Sequence, residues 1–240
     1  MSALYVHRVS AWTAEQGPPR AELLPPAQRR RCSLLSRMVA EVVGATVGDA
    51  ATLARHAIVC GTGFGEIATT VELLAMMREG DGALSPIRFA GSVHNAPAGQ
   101  LAIAAGHRGR STTVSAGAHT VVAVWLEAMG LLAAGSDAVL AVLADEPMPA
   151  PLQPRHDGLA VALSLSCEPA PGSVRVRWLG PRRDAPASMR VPAALLANPL
   201  QSAWCLAQAL LPGAAPQPCL RLEPDDERGQ AHCVAVERLA

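Results

Sequence analysis

The sequence predicts an α/β fold, and three observations carry that prediction. His56 to Cys60 (HAIVC) is a short apolar strand that runs straight into a glycine-rich turn and then a helix. Ala118 to Ala134 is an apolar helix followed by an apolar strand, Ala138 to Ala144. Strand–turn–helix repetition of this kind places helices against the faces of a sheet, in layers. The chain has 240 residues, half of them apolar. At that size a domain buries roughly 70–75% of its unfolded surface and needs neither disulfide nor metal to hold it.

In chain order, residues 3–12 (ALYVHRVSAW) read as a strand rich in aromatic and β-branched residues. Residues 17–29 are proline-rich and polar, and read as a loop. Leu34, Leu35, Met38, Val39, Val42 and Val43 recur at helical spacing within 30–45. The helix after the glycine-rich turn runs from about 66 to 79 and is stopped by Gly80-Asp81-Gly82. Ser85-Pro86 reads as the opening of a loop, 95–106 as a short helix of small residues, and Ser111 to Ser115 as a strand. In the last third, Leu159 to Cys167 and Ser173 to Leu179 flank a Pro-Gly turn and read as a hairpin. A helix near 197–211 and a strand near 232–238 follow, and 180–191 reads as an exposed stretch by composition.

Composition removes whole classes of function. Twenty arginines balance twenty acids, so the net charge is zero and no basic cluster marks a nucleic-acid partner. The chain contains no lysine. Schiff-base chemistry and a phosphate-binding P-loop both need that amine. Six cysteines (32, 60, 167, 205, 219 and 233) are scattered without a CxxC pair or zinc-ligand spacing, so no metal or other cofactor is expected. No uncharged apolar run reaches membrane-spanning length, because Glu127 and Asp137 interrupt the longest candidate. The start, MSALYVHRVSAWTAEQ, lacks the basic and apolar regions of a secretory signal. The expected location is therefore the cytoplasm, with free thiols.

Two motifs invite specific chemistry. Gly61-Thr62-Gly63-Phe64-Gly65-Glu66 follows a strand and opens a helix, as a dinucleotide-binding turn does. Its spacing is GxGxG rather than GxGxxG, and Asp81 stands in a turn rather than at a strand end. A tight turn that needs glycine for conformation and close packing is the simpler reading. Thr113-Val114-Ser115-Ala116-Gly117 is similar to the GxSxG elbow of serine hydrolases, with Asp157 and His232 following in triad order. Thr113 stands where the elbow needs its first glycine.

Taken together, residues 61–146 resemble the first half of a β-ketoacyl synthase of the thiolase-like superfamily. GTGFGE (61–66) is similar to that family's early glycine-rich turn. Ser85-Pro86, Ser92-Val93-His94-Asn95 and Ala98-Gly99-Gln100-Leu101 are similar to the segment before its active-site strand. Gly106-His107-Arg108-Gly109 resembles its G-x-x-G turn, STTVSAGA (111–118) the strand leading to the nucleophile, and LLAAGSDAVLAVLADE (131–146) the next helix end and core strand. Asp157-Gly158-Leu159 is similar to a later D-G-F segment. The resemblance implies a thiolase-like layered α/β/α fold over a single domain, 1–240. Its core match is 61–146, and residues 150–240 form a divergent hairpin-plus-helix region covering the sheet.

The departures from the family carry the functional expectation. Active members present a cysteine at a helix entrance, where the dipole favours the thiolate. The matching slot here holds Ala118, and a methyl group accepts no acyl chain. The family's downstream lysine and two histidines have no counterparts, and the chain is about half a typical synthase. The resemblance therefore implies a non-catalytic chain length factor, most similar to the small subunits of aryl-polyene and polyketide pathways. Such a subunit pairs with an active synthase, receives substrate through an acyl carrier protein, and shapes the acyl tunnel. Ser111, Thr112, Thr113, Val114 and Ser115 would then form the dimer-interface strand. His94, Asn95, Ala96, Pro97 and Gln100 would form the far wall of the partner's tunnel. Two other functions are weighed beside it: a small serine hydrolase using Ser115, and a non-catalytic module that docks carrier protein.

Overall fold

The computed structural model describes residues 3–80, 85–183 (with 84), 185–186 and 189–238. Asp81 and Gly82, the expected helix stop, lie outside the described residues, as does part of the 180–191 stretch. Eight strands form one mixed sheet: β1 (Ala3–Thr13), β2 (Ala57–Gly61), β3 (Ser111–Val114), β4 (Val139–Asp145), β5 (Leu159–Ser166), β6 (Val174–Arg182), β7 (Gln217–Arg221) and β8 (Ala231–Arg238). Their order across the sheet is β3-β2-β4-β5-β1-β6-β8-β7. The β3–β2 and β2–β4 pairs are parallel, and every other pair is antiparallel.

Helices cover both faces. They are α1 (Pro26–Arg29), α2 (Leu34–Val47), α3 (Ala50–Leu53), α4 (Ile67–Glu79), α5 (Pro86–Ala90), α6 (Ala96–Ala105), α7 (Thr120–Ala133) and α8 (Gln201–Leu210). The central strand β4 shows how one strand feeds two layers. Val139, Ala141 and Leu143 join a core with α7 and α8, whereas Leu140, Val142 and Ala144 join a second core with α2 and α6. Alternate residues of a strand point to opposite faces, so a strand buried on both reads as a continuous apolar run. The expected α/β/α layering is what the chain adopts.

Three sequence expectations are corrected. The segments 159–167 and 173–179 are strands, but they do not form a hairpin, because β1 lies between β5 and β6 and pairs with both. The Pro171-Gly172 turn reverses the chain over the width of an intervening strand. Residues 150–240 also do more than cover the sheet: β5 sits at its centre, and β6, β8 and β7 extend it sideways. Ser85-Pro86 opens a helix rather than a loop, with the Ser85 hydroxyl accepting from the Arg88 amide and Pro86 at the first helical position.

Candidate functional site

The glycine-rich turn connects the C-terminal end of β2 to α4 and organises everything around it. Its amides hold a buried carboxylate of the same chain. Gly63 N–H donates to both oxygens of Asp145, at 3.0 and 2.9 Å, and Phe64 N–H to Oδ1 at 3.2 Å. The Thr62 hydroxyl donates to Asp145 Oδ1 at 2.6 Å and accepts from Gly65 N–H at 2.8 Å. These donors are spent on Asp145, so the turn has a structural task in place of a dinucleotide's pyrophosphate. Burial pushes the Asp145 carboxyl above its usual range, and Thr62 and the two amides pull against it. Glycine is required by space. A Cβ at Gly63 would stand 2.6 Å from Pro199 Cγ, and one at Gly61 would stand 2.4 Å from Val124 Cγ2.

The start of α4 adds two more buried acids. Glu146 Oε1 accepts from Ala68 N–H at 2.9 Å, which satisfies one free donor of the helix's first turn. Burial, with Glu66 and Asp145 nearby, raises the Glu146 carboxyl to about 7. Glu66 Oε1 accepts from the hydroxyls of Ser33 (2.7 Å) and Ser36 (3.2 Å), tying α4 to the start of α2.

The segments expected to meet a partner converge on this turn. Gly65 packs against His94, where a Cβ would lie 3.0 Å from the His94 Cβ. The Ser115 hydroxyl donates to the Gly63 carbonyl at 3.3 Å. Ser111, Thr112, Thr113 and Val114 form β3, the edge strand of the sheet, bonded on one side only to β2 in parallel register. His94 and Asn95 are exposed, Ala96 is half-buried, and Pro97 is buried at the start of α6. Gln100 turns inward, its side-chain oxygen accepting from Gln28 Nε2 at 2.8 Å.

Ala118 lies in a single 3₁₀ turn, Gly117–His119, just before α7. Among the described residues no thiol stands in for it. Cys60 is in β2 opposite Thr113, and burial pushes its thiol up to about 12, so it stays protonated and inert. Burial also raises Cys32, Cys167, Cys205 and Cys233. The serine triad is not assembled. The Ser115 proton goes to a carbonyl, and His232 Nδ1 pairs with Glu223 instead of Asp157. Glu223 was not visible in the sequence as a site residue. It is buried between His232 and His119, whose Nδ1 lies 2.7 Å from its Oε2. Trp178 stacks on the His232 ring at 5.4 Å. Burial opposes the charge on Glu223, but its two histidine partners outweigh burial and hold the carboxyl below its usual range.

The profile of the β-ketoacyl synthase N-terminal domain matches residues 5–221. The chain belongs to that family. Its fold is shared by solved structures at low identity. A chain from a ketosynthase (ApeO) in complex with its chain length factor (ApeC), from Xenorhabdus doucetiae, superposes with a TM-score of 0.67 at 21% identity, over 99% of this chain and 100% of that one. A chain of the ishigamide ketosynthase/chain length factor superposes at 0.64 with 15% identity, over 100% of both. A β-ketoacyl synthase from Burkholderia phymatum STM815 superposes at 0.55 with 14% identity, over 85% of this chain and 70% of that one. No curated protein matches the sequence. Among the described residues no helix is long and apolar enough to cross a membrane, and no cluster of histidine, cysteine and acidic side chains could hold a metal ion.

Proposed function

We propose that this chain is a non-catalytic, chain-length-factor-like subunit that pairs with an active β-ketoacyl synthase in the cytoplasm and shapes its acyl tunnel. The growing chain would be delivered by an acyl carrier protein. The observation that carries this reading is Ala118 at the entrance of α7, with the core thiol of Cys60 buried and protonated. A family member without a nucleophile can still contribute surface. Two of the solved chains that share the fold are described as belonging to a ketosynthase with a chain length factor, which supports the same reading.

The surface also supports a partner. The outer side of β3 is unpaired within the chain, and an open strand edge is a template for pairing. Seven of the ten large apolar side chains exposed among the described residues lie between Phe64 and Ile103, including Leu74 and Met77 on α4 and Ile87 and Phe89 on α5. Clustered apolar exposure marks an interaction face. In this arrangement β3 meets the synthase, and the exposed His94 and Asn95 reach its tunnel end, ahead of Ala96, Pro97 and Gln100. A buried methylene is worth about 0.8 kcal/mol and overpacking costs roughly 1–3 kcal/mol, so one bulky side chain there decides whether a further two-carbon extension fits.

Co-expression with an active ketosynthase tests the proposal. The expected result is a one-to-one complex, and His94→Trp or Asn95→Trp shortens the product while turnover continues. A monodisperse monomer with no affinity for a ketosynthase would sink it. An intact complex whose product length ignores both substitutions would support carrier-protein docking instead.

A further inference from the structure

At the opposite end of the sheet from the glycine-rich turn, where β2 and β4 begin and β5 ends, a cleft of about 750 Å³ opens. That volume suits a small organic ligand rather than a bare ion. Two arginines line it, Arg8 from β1 and Arg55 from the segment between α3 and β2. Both are exposed, and among the described residues neither guanidinium has a hydrogen-bond or ion-pair partner. Asp137, just before β4, lines the same cleft and is likewise unpaired.

The floor is built from buried polar groups whose protons can be assigned from their partners. His56 is 7% exposed, and its Nδ1 lies 2.9 Å from the Thr52 carbonyl, which can only accept. Nδ1 therefore carries the proton, and Nε2 accepts the Ser164 hydroxyl proton at 2.9 Å. This leaves lone pairs of the Ser164 oxygen free to accept from a ligand. Ser166 gives its proton to the Glu168 carbonyl, so His7 Nε2–H donates to Ser166 at 2.7 Å. The cleft thus offers two cationic forks at its rim, with acceptors at Ser164 and Asp137.

We infer that this cleft binds a small phosphate ester that carries hydroxyl groups. Arg8 and Arg55 hold the phosphate, whose oxygens match the guanidinium fork, while Asp137 and Ser164 accept from the hydroxyls. The site lies at the far strand ends from Ala118 and does not depend on the proposed pairing with a synthase.

The test is a titration of the full chain with inorganic phosphate and with ribose 5-phosphate, followed by amide chemical shifts and calorimetry, against chloride at matched ionic strength. Saturable binding of ribose 5-phosphate is expected, with shifts centred on Arg55, His56 and Asp137. Arg8→Gln/Arg55→Gln weakens it at least tenfold. Asp137→Asn weakens ribose 5-phosphate relative to inorganic phosphate, because it removes an acceptor for the sugar hydroxyls while relieving repulsion of the anion. Circular dichroism verifies that the double variant folds; if it does not, the shift map of the wild-type chain decides alone. No saturable binding, shifts centred elsewhere, an equal response to chloride, or undiminished binding by a folded double variant overturns the inference.

Discussion

The Gly63 amide points between the two carboxylate oxygens of Asp145, at 2.9 and 3.0 Å, and with the Thr62 hydroxyl and the Phe64 amide it fastens the glycine-rich turn to the end of β4. Asp145→Asn replaces one acceptor oxygen by a donor that faces the Thr62 hydroxyl and two amides. Leaving buried donors unsatisfied costs about 1–3 kcal/mol. Gly63→Ala drives a methyl into Pro199 and costs a similar amount through overpacking. Urea denaturation of both variants is expected to show lowered midpoints with unchanged slope. An unchanged midpoint in Asp145→Asn would mean that the turn does not depend on the carboxylate.

Glu146 makes a pH-dependent contribution whose sign follows from its raised carboxyl. Unfolded, the group ionises near the ordinary value of 4.5; folded, it ionises near 7. Its protonated form is favoured by the fold, so stability is fully present below about pH 4.5 and falls as pH rises toward 7. The loss is on the order of 3 kcal/mol for a shift of this size. Glu146→Gln keeps an acceptor for Ala68 N–H and removes the titration. The variant is expected to match wild type near pH 4 and exceed it at pH 8 in urea midpoints. A constant difference across that range would contradict the assignment.

Glu223 behaves in the opposite sense. Its histidine partners hold the carboxyl below the usual range in spite of burial, so its stabilisation is present above the unfolded value and is lost as pH falls through the folded one. Glu223→Gln is expected to lower the melting temperature at pH 7, and the difference from wild type is expected to shrink as the pH is taken down into the acid range. The same variant should loosen the Trp178–His232 stack, read as a change in tryptophan fluorescence.

Much of the layered core was legible because local patterns suffice for it. The apolar runs of β2, β4 and β5 and the periodicity of α2 and α7 are written residue by residue. What failed is non-local. The turn at Pro171-Gly172 is real, yet nothing near it tells that the N-terminal strand inserts between its two arms. The missed helix α5 carried an available signal, since a serine followed by proline is a helix start as well as a turn. Strand β7, only half-buried and containing Pro218, has too weak a pattern to be read.

For the site, the segments holding the turn, His94 and Ser115 were legible in the sequence, but the acids that anchor the turn and the start of α4 were not. Asp145 and Glu146 end an otherwise apolar strand, and two acids in that position next to a glycine-rich turn are a usable signal. Glu223 gave none, because His119 comes to it from the turn before α7, far away in sequence, and His232 only through the pairing of β7 with β8.

Ala118→Cys tests whether the turn that leads into α7 activates a thiol. The position is half-exposed in the turn that leads into α7, where the helix dipole favours a thiolate. Burial pushes the Cys60 thiol up to about 12, so it is protonated at pH 7.5. Native Ala118→Cys is therefore expected to react with iodoacetamide at a new site that peptide mass spectrometry places at 118, while Cys60 is labelled only after unfolding. Labelling of Cys60 in the folded wild-type chain at the rate of an unfolded peptide would show that β2 admits solvent and thiolate, and would return a candidate nucleophile to the protein.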